Sequence, residues 1–157
     1  MQQASTQIAA RTAEIIDTLR ELEGPLLPIL HGIQEKFGYV PQETLPVIAD
    51  ALNLSRAEVH GVVTFYHDYR SHPAGRHVLK LCQAEACQSM GSEATTARIK
   101  QLLGIDFHET TRDGAVTLEP VYCLGLCACA PSAMLDGAVI GRLDAETIDE
   151  IVAEVRS

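Results

Sequence analysis

Basic residues are scarce in this sequence. Its 157 residues include 12 lysines and arginines against 21 aspartates and glutamates, which gives a formal net charge of −9 at pH 7. An acidic surface repels phosphate backbones and anionic lipids. We therefore expect the protein to bind neither nucleic acid nor a membrane surface.

Long apolar runs are also missing. No segment approaches the ~20 apolar residues that a membrane-spanning helix needs, and residues 1–6 lack the basic and apolar segments of a secretory signal. These absences predict a cytoplasmic protein. In a reducing compartment, five cysteines are better explained by metal binding or redox chemistry than by disulfides.

Familiar catalytic motifs are missing as well. Residues 137–141 lack the strand, third glycine and helix of a dinucleotide loop, so we expect no NAD or flavin bound by this chain alone. No histidine pairs with an acid and a nucleophile at a catalytic spacing. A Cys-x-x-Cys motif, typical of thiol oxidoreductases, is absent. We therefore expect no catalytic residue in this chain.

The hydrophobic pattern changes near the middle of the chain. The first part predicts four helices, over residues 7–23, 26–37, 42–52 and from a capping box at 55–58. The aromatic run 65–69 is expected to pack in the core or between domains. Turn-forming residues 71–75 then mark a boundary between a helical domain, 1–72, and a second domain, 73–157.

The second part has an α/β pattern. It predicts a strand over 76–81, a helix over 92–103, hairpins pairing 107–111 with 115–122 and 133–135 with 138–140, and a helix capped by Asp144. This order fits a thioredoxin-like sheet. The predicted fold class is α+β, an N-terminal helical bundle followed by a thioredoxin-like domain.

Four cysteines form two pairs. Cys82 and Cys87 enclose four residues, and Cys123 and Cys127 enclose three. Each pair follows a predicted strand, so the two loops are expected to converge at one end of the sheet. Thiolates suit zinc or an iron–sulfur cluster. The sequence therefore predicts a thiolate metal site.

The spacing favours a two-iron cluster over zinc. Structural zinc sites usually have tight Cys-x-x-Cys pairs, whereas longer loops leave room around a [2Fe–2S] core. Gly125 is expected to point backbone N–H groups at sulfur, and the helix near Ser92 to direct its positive dipole at the site. Cys129 is interpreted as a packing residue. A zinc-stabilised interaction module and a thiol oxidoreductase remain alternatives.

The cysteine pattern resembles a known family. The spacing Cys82-x4-Cys87, then Cys123-Leu-Gly-Leu-Cys127 with Pro131 after it, is similar to the thioredoxin-like [2Fe–2S] ferredoxin subunit of NADH:quinone oxidoreductases, NAD-linked hydrogenases and NAD-dependent formate dehydrogenases. The resemblance continues through Gln34–Pro41, Val62–Tyr66 and Pro73–Val78. It implies that Cys82 and Cys87 bind one iron and Cys123 and Cys127 the other.

The resemblance also implies partners. The cluster is expected to carry electrons beside a flavoprotein subunit, which binds FMN and exchanges hydride with NAD. The helices up to about Tyr69 are expected to pack against that subunit. The run 123–137 looks most like the gamma subunit of molybdenum-containing, NAD-dependent formate dehydrogenases. The catalytic partner is then expected to hold the molybdenum cofactor and further Fe–S clusters. The equivalent subunits of quinone oxidoreductase and hydrogenase are alternatives.

Overall fold

Four helices form the first part of the chain in the computed structural model, which describes residues 2–156. They are α1 (Gln2–Leu19), α2 (Leu26–Phe37), α3 (Thr44–Leu52) and α4 (Arg56–Phe65). The chain divides into two units, the first ending at Pro73 and the second beginning at Ala74. Apolar residues of the first unit, from Ile16 to Tyr69, form its own buried core.

Local signals explain most of the helix ends. Gly38 adopts the left-handed conformation, φ 79°, that ends α2. The predicted capping box begins α4: the Glu58 N–H donates to Ser55 Oγ (3.2 Å), and the Ser55 N–H donates to Glu58 Oε2 (2.8 Å). The helix predicted over 7–23 instead covers Gln2–Leu19. Its apolar stripe does not continue, because the Leu22 side chain is 49% exposed.

The aromatic run at the end of α4 only partly matches its predicted packing role. Tyr69 is buried in the helical core, and its hydroxyl donates to the Leu27 carbonyl oxygen at 3.4 Å. Phe65, in contrast, is 73% exposed, and Tyr66 is also exposed. Core packing therefore holds for Tyr69 but not for Phe65 and Tyr66, whose packing between domains stays a prediction.

The second unit is built on a mixed five-stranded sheet. Its strands are β1 (His77–Cys82), β2 (Glu109–Thr110), β3 (Val116–Val121), β4 (Ser132–Leu135) and β5 (Ala138–Gly141), in the order β2-β3-β1-β4-β5. Strands β1 and β3 are parallel, and the other pairs are antiparallel. The connection from β1 to β3 contains α5 (Glu85–Ser89) and α6 (Ser92–Leu103), and α7 (Ala145–Arg156) ends the unit.

Alternation along the strands explains the core of this unit. Leu79 and Leu81 on β1 are buried, as is Leu118 on β3, and they pack with apolar residues of α6 and α7. Each such leucine contributes about 1.5–3 kcal/mol by burial. Both predicted hairpins are present, and Asp144 caps α7 by accepting from the Thr147 N–H at 2.9 Å.

The register of the parallel pair positions the cysteine loops. Cys82 is the last residue of β1 and lies opposite Val121, the last residue of β3. The loops that leave these strands therefore begin side by side at one edge of the sheet. Within residues 2–156, no helix has the length and apolar character needed to cross a membrane.

Candidate metal centre

Cys82 is buried at the end of β1, with only 2% of the residue exposed. Burial tends to raise the pKa of its thiol, but hydrogen bonds from the Ala84 N–H, the Cys87 thiol and the N–H groups of Cys123 and Leu124 leave that pKa below its ordinary value. A metal binds the thiolate, so this environment favours the form that ligation requires.

Cys87 lies on α5, a short helix that sequence analysis missed. The hydrogen bond from the Gln88 N–H to the Ala84 carbonyl oxygen (3.0 Å) forms part of this turn. Five residues are too few to show a helical hydrophobic period, so the sequence carried no signal for it. The helix turns the Cys87 side chain inward, where it is 2% exposed and within hydrogen-bond reach of the Cys82 sulfur.

Gln83 fixes the first cysteine loop to the rest of the unit. Its N–H donates to the Val121 carbonyl oxygen (2.8 Å), and its Nε2 donates to Thr96 Oγ1 on α6 (3.0 Å). Gln88 Nε2 donates in turn to the Gln83 carbonyl oxygen at 2.7 Å. Sequence reasoning missed Gln83, because its partners are distant in sequence and no motif marks it.

Cys123 and Cys127 form the second pair. Both are exposed, and their sulfurs lie 3.9 Å apart. The backbone at Cys123 has φ 86° and at Gly125 φ 77°. Gly125 takes this conformation without a steric cost, and its N–H donates to Cys123 Sγ at 3.4 Å, as predicted. The hydrogen bond that the Cys127 thiol donates to the Cys123 sulfur, together with the charge of Cys123, raises the pKa of the Cys127 thiol.

Backbone N–H groups of the two cysteine loops contact the cysteine sulfurs. The N–H groups that reach sulfur belong to Ala84, Cys123, Leu124 and Gly125, and α6 begins only at Ser92. The helix therefore begins where the sequence predicted, and the role of its dipole stays a prediction. The N–H groups that contact sulfur come from the two cysteine loops.

Cys129 has a different environment. Its carbonyl oxygen accepts from the Arg142 N–H at 2.6 Å, and a Cβ added to Gly141 would lie 2.8 Å from the Cys129 Cβ. The charges that act on Cys127 come from Cys123, Cys87 and Cys82. The close approach of β5 therefore holds Cys129 in place, in agreement with the packing interpretation.

The four remaining cysteines lie near one another at this end of the sheet. The Cys87 thiol is within hydrogen-bond reach of the Cys82 sulfur, the Cys123 and Cys127 sulfurs lie 3.9 Å apart, and the charges of Cys82 and Cys87 act on Cys127. Across the described part of the chain, no group of three or more histidine, cysteine, aspartate and glutamate side chains is already arranged to hold a metal ion. Four thiolates that come as two pairs suit the two irons of a [2Fe–2S] cluster.

Comparison with protein families identifies this arrangement. The sequence model of a family described as thioredoxin-like [2Fe-2S] ferredoxin matches residues 12–156. The chain belongs to the thioredoxin-like [2Fe–2S] ferredoxin family. Membership confirms the predicted α+β fold with a thioredoxin-like domain, and it confirms the [2Fe–2S] cluster as the cofactor of this ferredoxin.

Individual relatives are components of larger enzymes. The ferredoxin is 33% identical over 141 residues to the HndA subunit of the NADP-reducing hydrogenase of Solidesulfovibrio fructosivorans, covering 90% of this chain and 82% of that protein. It is 36% identical over 144 residues to an NADH-quinone oxidoreductase subunit of Mycobacterium bovis, covering 92% of this chain but 57% of that protein. The ferredoxin thus spans little more than half of the mycobacterial protein.

A solved structure shares the fold. An NAD+-reducing [NiFe]-hydrogenase in the H2-reduced state aligns with 83% of this ferredoxin and 22% of its own chain, with a TM-score of 0.71 and 24% sequence identity. At that identity the likeness shows the fold alone.

Proposed function

We propose that this ferredoxin is a one-electron carrier beside the FMN-binding flavoprotein subunit of an NAD-linked oxidoreductase. The observation that carries the proposal is the asymmetric exposure of the two thiol pairs. Cys82 and Cys87 are buried, whereas Cys123 and Cys127 are exposed. Electron transfer falls steeply with distance, so a metal centre with one side at the surface suits exchange with a docked partner.

Each cysteine pair is proposed to bind a different iron. We propose that Cys82 and Cys87 hold the inner iron and that Cys123 and Cys127 hold the outer iron. When bound, the cluster supplies one-electron redox chemistry. The N–H groups of Ala84, Leu124 and Gly125 would stabilise negative charge on the thiolate ligands, and this favours the reduced form, in which the whole cluster is more negative by one charge.

The complex served is a narrower proposal. The run 123–137 is similar to the gamma subunit of NAD-dependent, molybdenum-containing formate dehydrogenases. We place the ferredoxin in such a cytoplasmic complex, with FMN and NAD on the flavoprotein and the molybdenum cofactor and further Fe–S clusters on the catalytic subunit. The relatives in hydrogenase and NADH–quinone oxidoreductase support the alternative complexes.

Purification of the native complex through this ferredoxin tests the proposal. We expect an assembly with FMN and molybdenum that reduces NAD+ with formate, whereas the isolated ferredoxin oxidises neither formate nor NADH. Activity assays and metal analysis on the same preparation provide both measurements. A membrane-bound assembly that reduces quinone, or one that evolves hydrogen from NADH without molybdenum, would contradict the formate assignment and leave the carrier role intact.

A further inference from the structure

Ser132 lies against the buried cysteine pair. It is the first residue of β4, and only 2% of it is exposed. Its hydroxyl oxygen is 3.5 Å from the Cys87 sulfur, which belongs to a residue 45 positions earlier. Strand β4 pairs with β1, with Ala133 opposite Leu81, so the sheet fixes the position of Ser132, and Cys87 lies on α5 in the connection that follows β1. Both residues of the contact therefore belong to regular secondary structure.

Ligation decides the direction of this hydrogen bond. With Cys87 as a thiol, either atom can donate. An iron ligand is a thiolate and has no proton to give, so the Ser132 hydroxyl must then be the donor. A buried hydroxyl without a partner is costly. Its hydrogen is therefore expected to stay directed at the sulfur.

We propose that the Ser132 hydroxyl donates a hydrogen bond to the Cys87 ligand and raises the reduction potential of the [2Fe–2S] cluster. The inference rests on the ligand role proposed for Cys87. A donor at a ligand sulfur stabilises negative charge, and the reduced cluster carries one more electron than the oxidised one. Reduction is consequently favoured.

Ser132 differs from the other donors at this site. Cys82 accepts from the backbone N–H groups of Ala84, Cys123 and Leu124, and Cys123 accepts from that of Gly125. Substitution of the side chains of those residues leaves their backbone N–H donors in place. The Ser132 hydroxyl is a side-chain donor, so its presence or absence sets the potential without a change of ligand.

The test is a redox titration, followed by electron paramagnetic resonance (EPR), of the purified full-length ferredoxin and its Ser132→Ala variant. We expect the equilibrium constant for reduction to fall roughly three- to tenfold, which is about 30–60 mV at 59 mV per tenfold for a one-electron couple. Ser132→Thr and Ser132→Val form a matched pair, because their side chains have the same shape and only threonine keeps a hydroxyl. Threonine should retain the wild-type potential, and valine should lower it as alanine does.

Ser89→Ala is the control substitution. Ser89 also lies on α5, two residues after Cys87, but its hydroxyl donates to the Ala86 carbonyl oxygen at 2.9 Å and not to sulfur. Its removal should leave the potential unchanged. Resonance Raman spectra give a second readout: the shift of the Fe–S stretching bands in D2O should shrink in the alanine and valine variants and persist with threonine.

Specific results would overturn the inference. An unchanged potential in Ser132→Ala, or equal potentials in the threonine and valine variants, contradicts a tuning role. Loss of the cluster from both hydroxyl-free variants, with retention in Ser132→Thr, would replace tuning with a role in assembly. Wild-type protein that contains zinc and no sulfide would instead contradict the proposed carrier function, so the two failures are distinguishable.

Discussion

Replacement of Cys82, Cys87, Cys123 or Cys127 by serine is expected to reduce the EPR signal of the reduced cluster to less than about a tenth of the wild-type intensity. Each change removes one of four thiolates, and even residues that only support metal ligands contribute about 10–100-fold to affinity. The buried pair should show the larger loss, because a misplaced ligand at Cys82 or Cys87 also disturbs the packing around β1. Spectra and iron content of the purified variants check this prediction.

Cys129→Ala is the matched control for the ligand series. Cys129 lies two residues from Cys127 in the same turn but packs against β5 near Gly141. Its substitution should leave the signal nearly intact. A lost signal in Cys129→Ala, together with a normal signal in Cys127→Ala, would reverse the assignment within this loop.

Removal of the helical unit is expected to separate cluster binding from partner binding. The core of the second unit contains residues from Leu79 to Val155, and all four proposed ligands belong to that unit. A fragment of residues 74–157 also keeps Gly75, whose N–H donates to Thr117 Oγ1 on β3 at 2.7 Å. It should bind a cluster with the wild-type EPR spectrum and about the same iron content.

The same fragment should lose the flavoprotein subunit. The helices up to Tyr69, which the fragment lacks, are proposed to form the dock. Co-purification from cells that express the partner subunits measures this loss, with the full-length ferredoxin as the control. Undiminished recovery of the flavoprotein with the fragment would show that the second unit is the main docking surface.

Hydrophobic periodicity, helix caps and turn signals were enough to predict most of the longer elements, although α1 begins and ends earlier than the pattern indicated. Helix α2, the capping box at Ser55 and both hairpins agree with the sequence analysis. The sequence analysis did not predict the shorter elements. Helix α5 and the 3-10 turn Cys127–Cys129 span five and three residues, less than two turns of helix, so no repeating apolar pattern marks them.

The site was predictable to the extent that its residues are chemically distinctive. Paired cysteines after two strands indicated convergence, and the parallel register of β1 and β3 brings their ends together. Ser132 and Gln83 could not be predicted, because their roles depend on contacts between distant segments. A serine after a proline carries no sequence signal of a sulfur partner.

Metal and acid-labile sulfide analysis of the purified ferredoxin, together with EPR after reduction, tests the central claim most directly. We expect about two irons and about two sulfides per chain, and a signal from one unpaired electron. The four thiolates alone would accept zinc as well. A preparation that holds one zinc ion, lacks sulfide and gives no signal after reduction would contradict the carrier account.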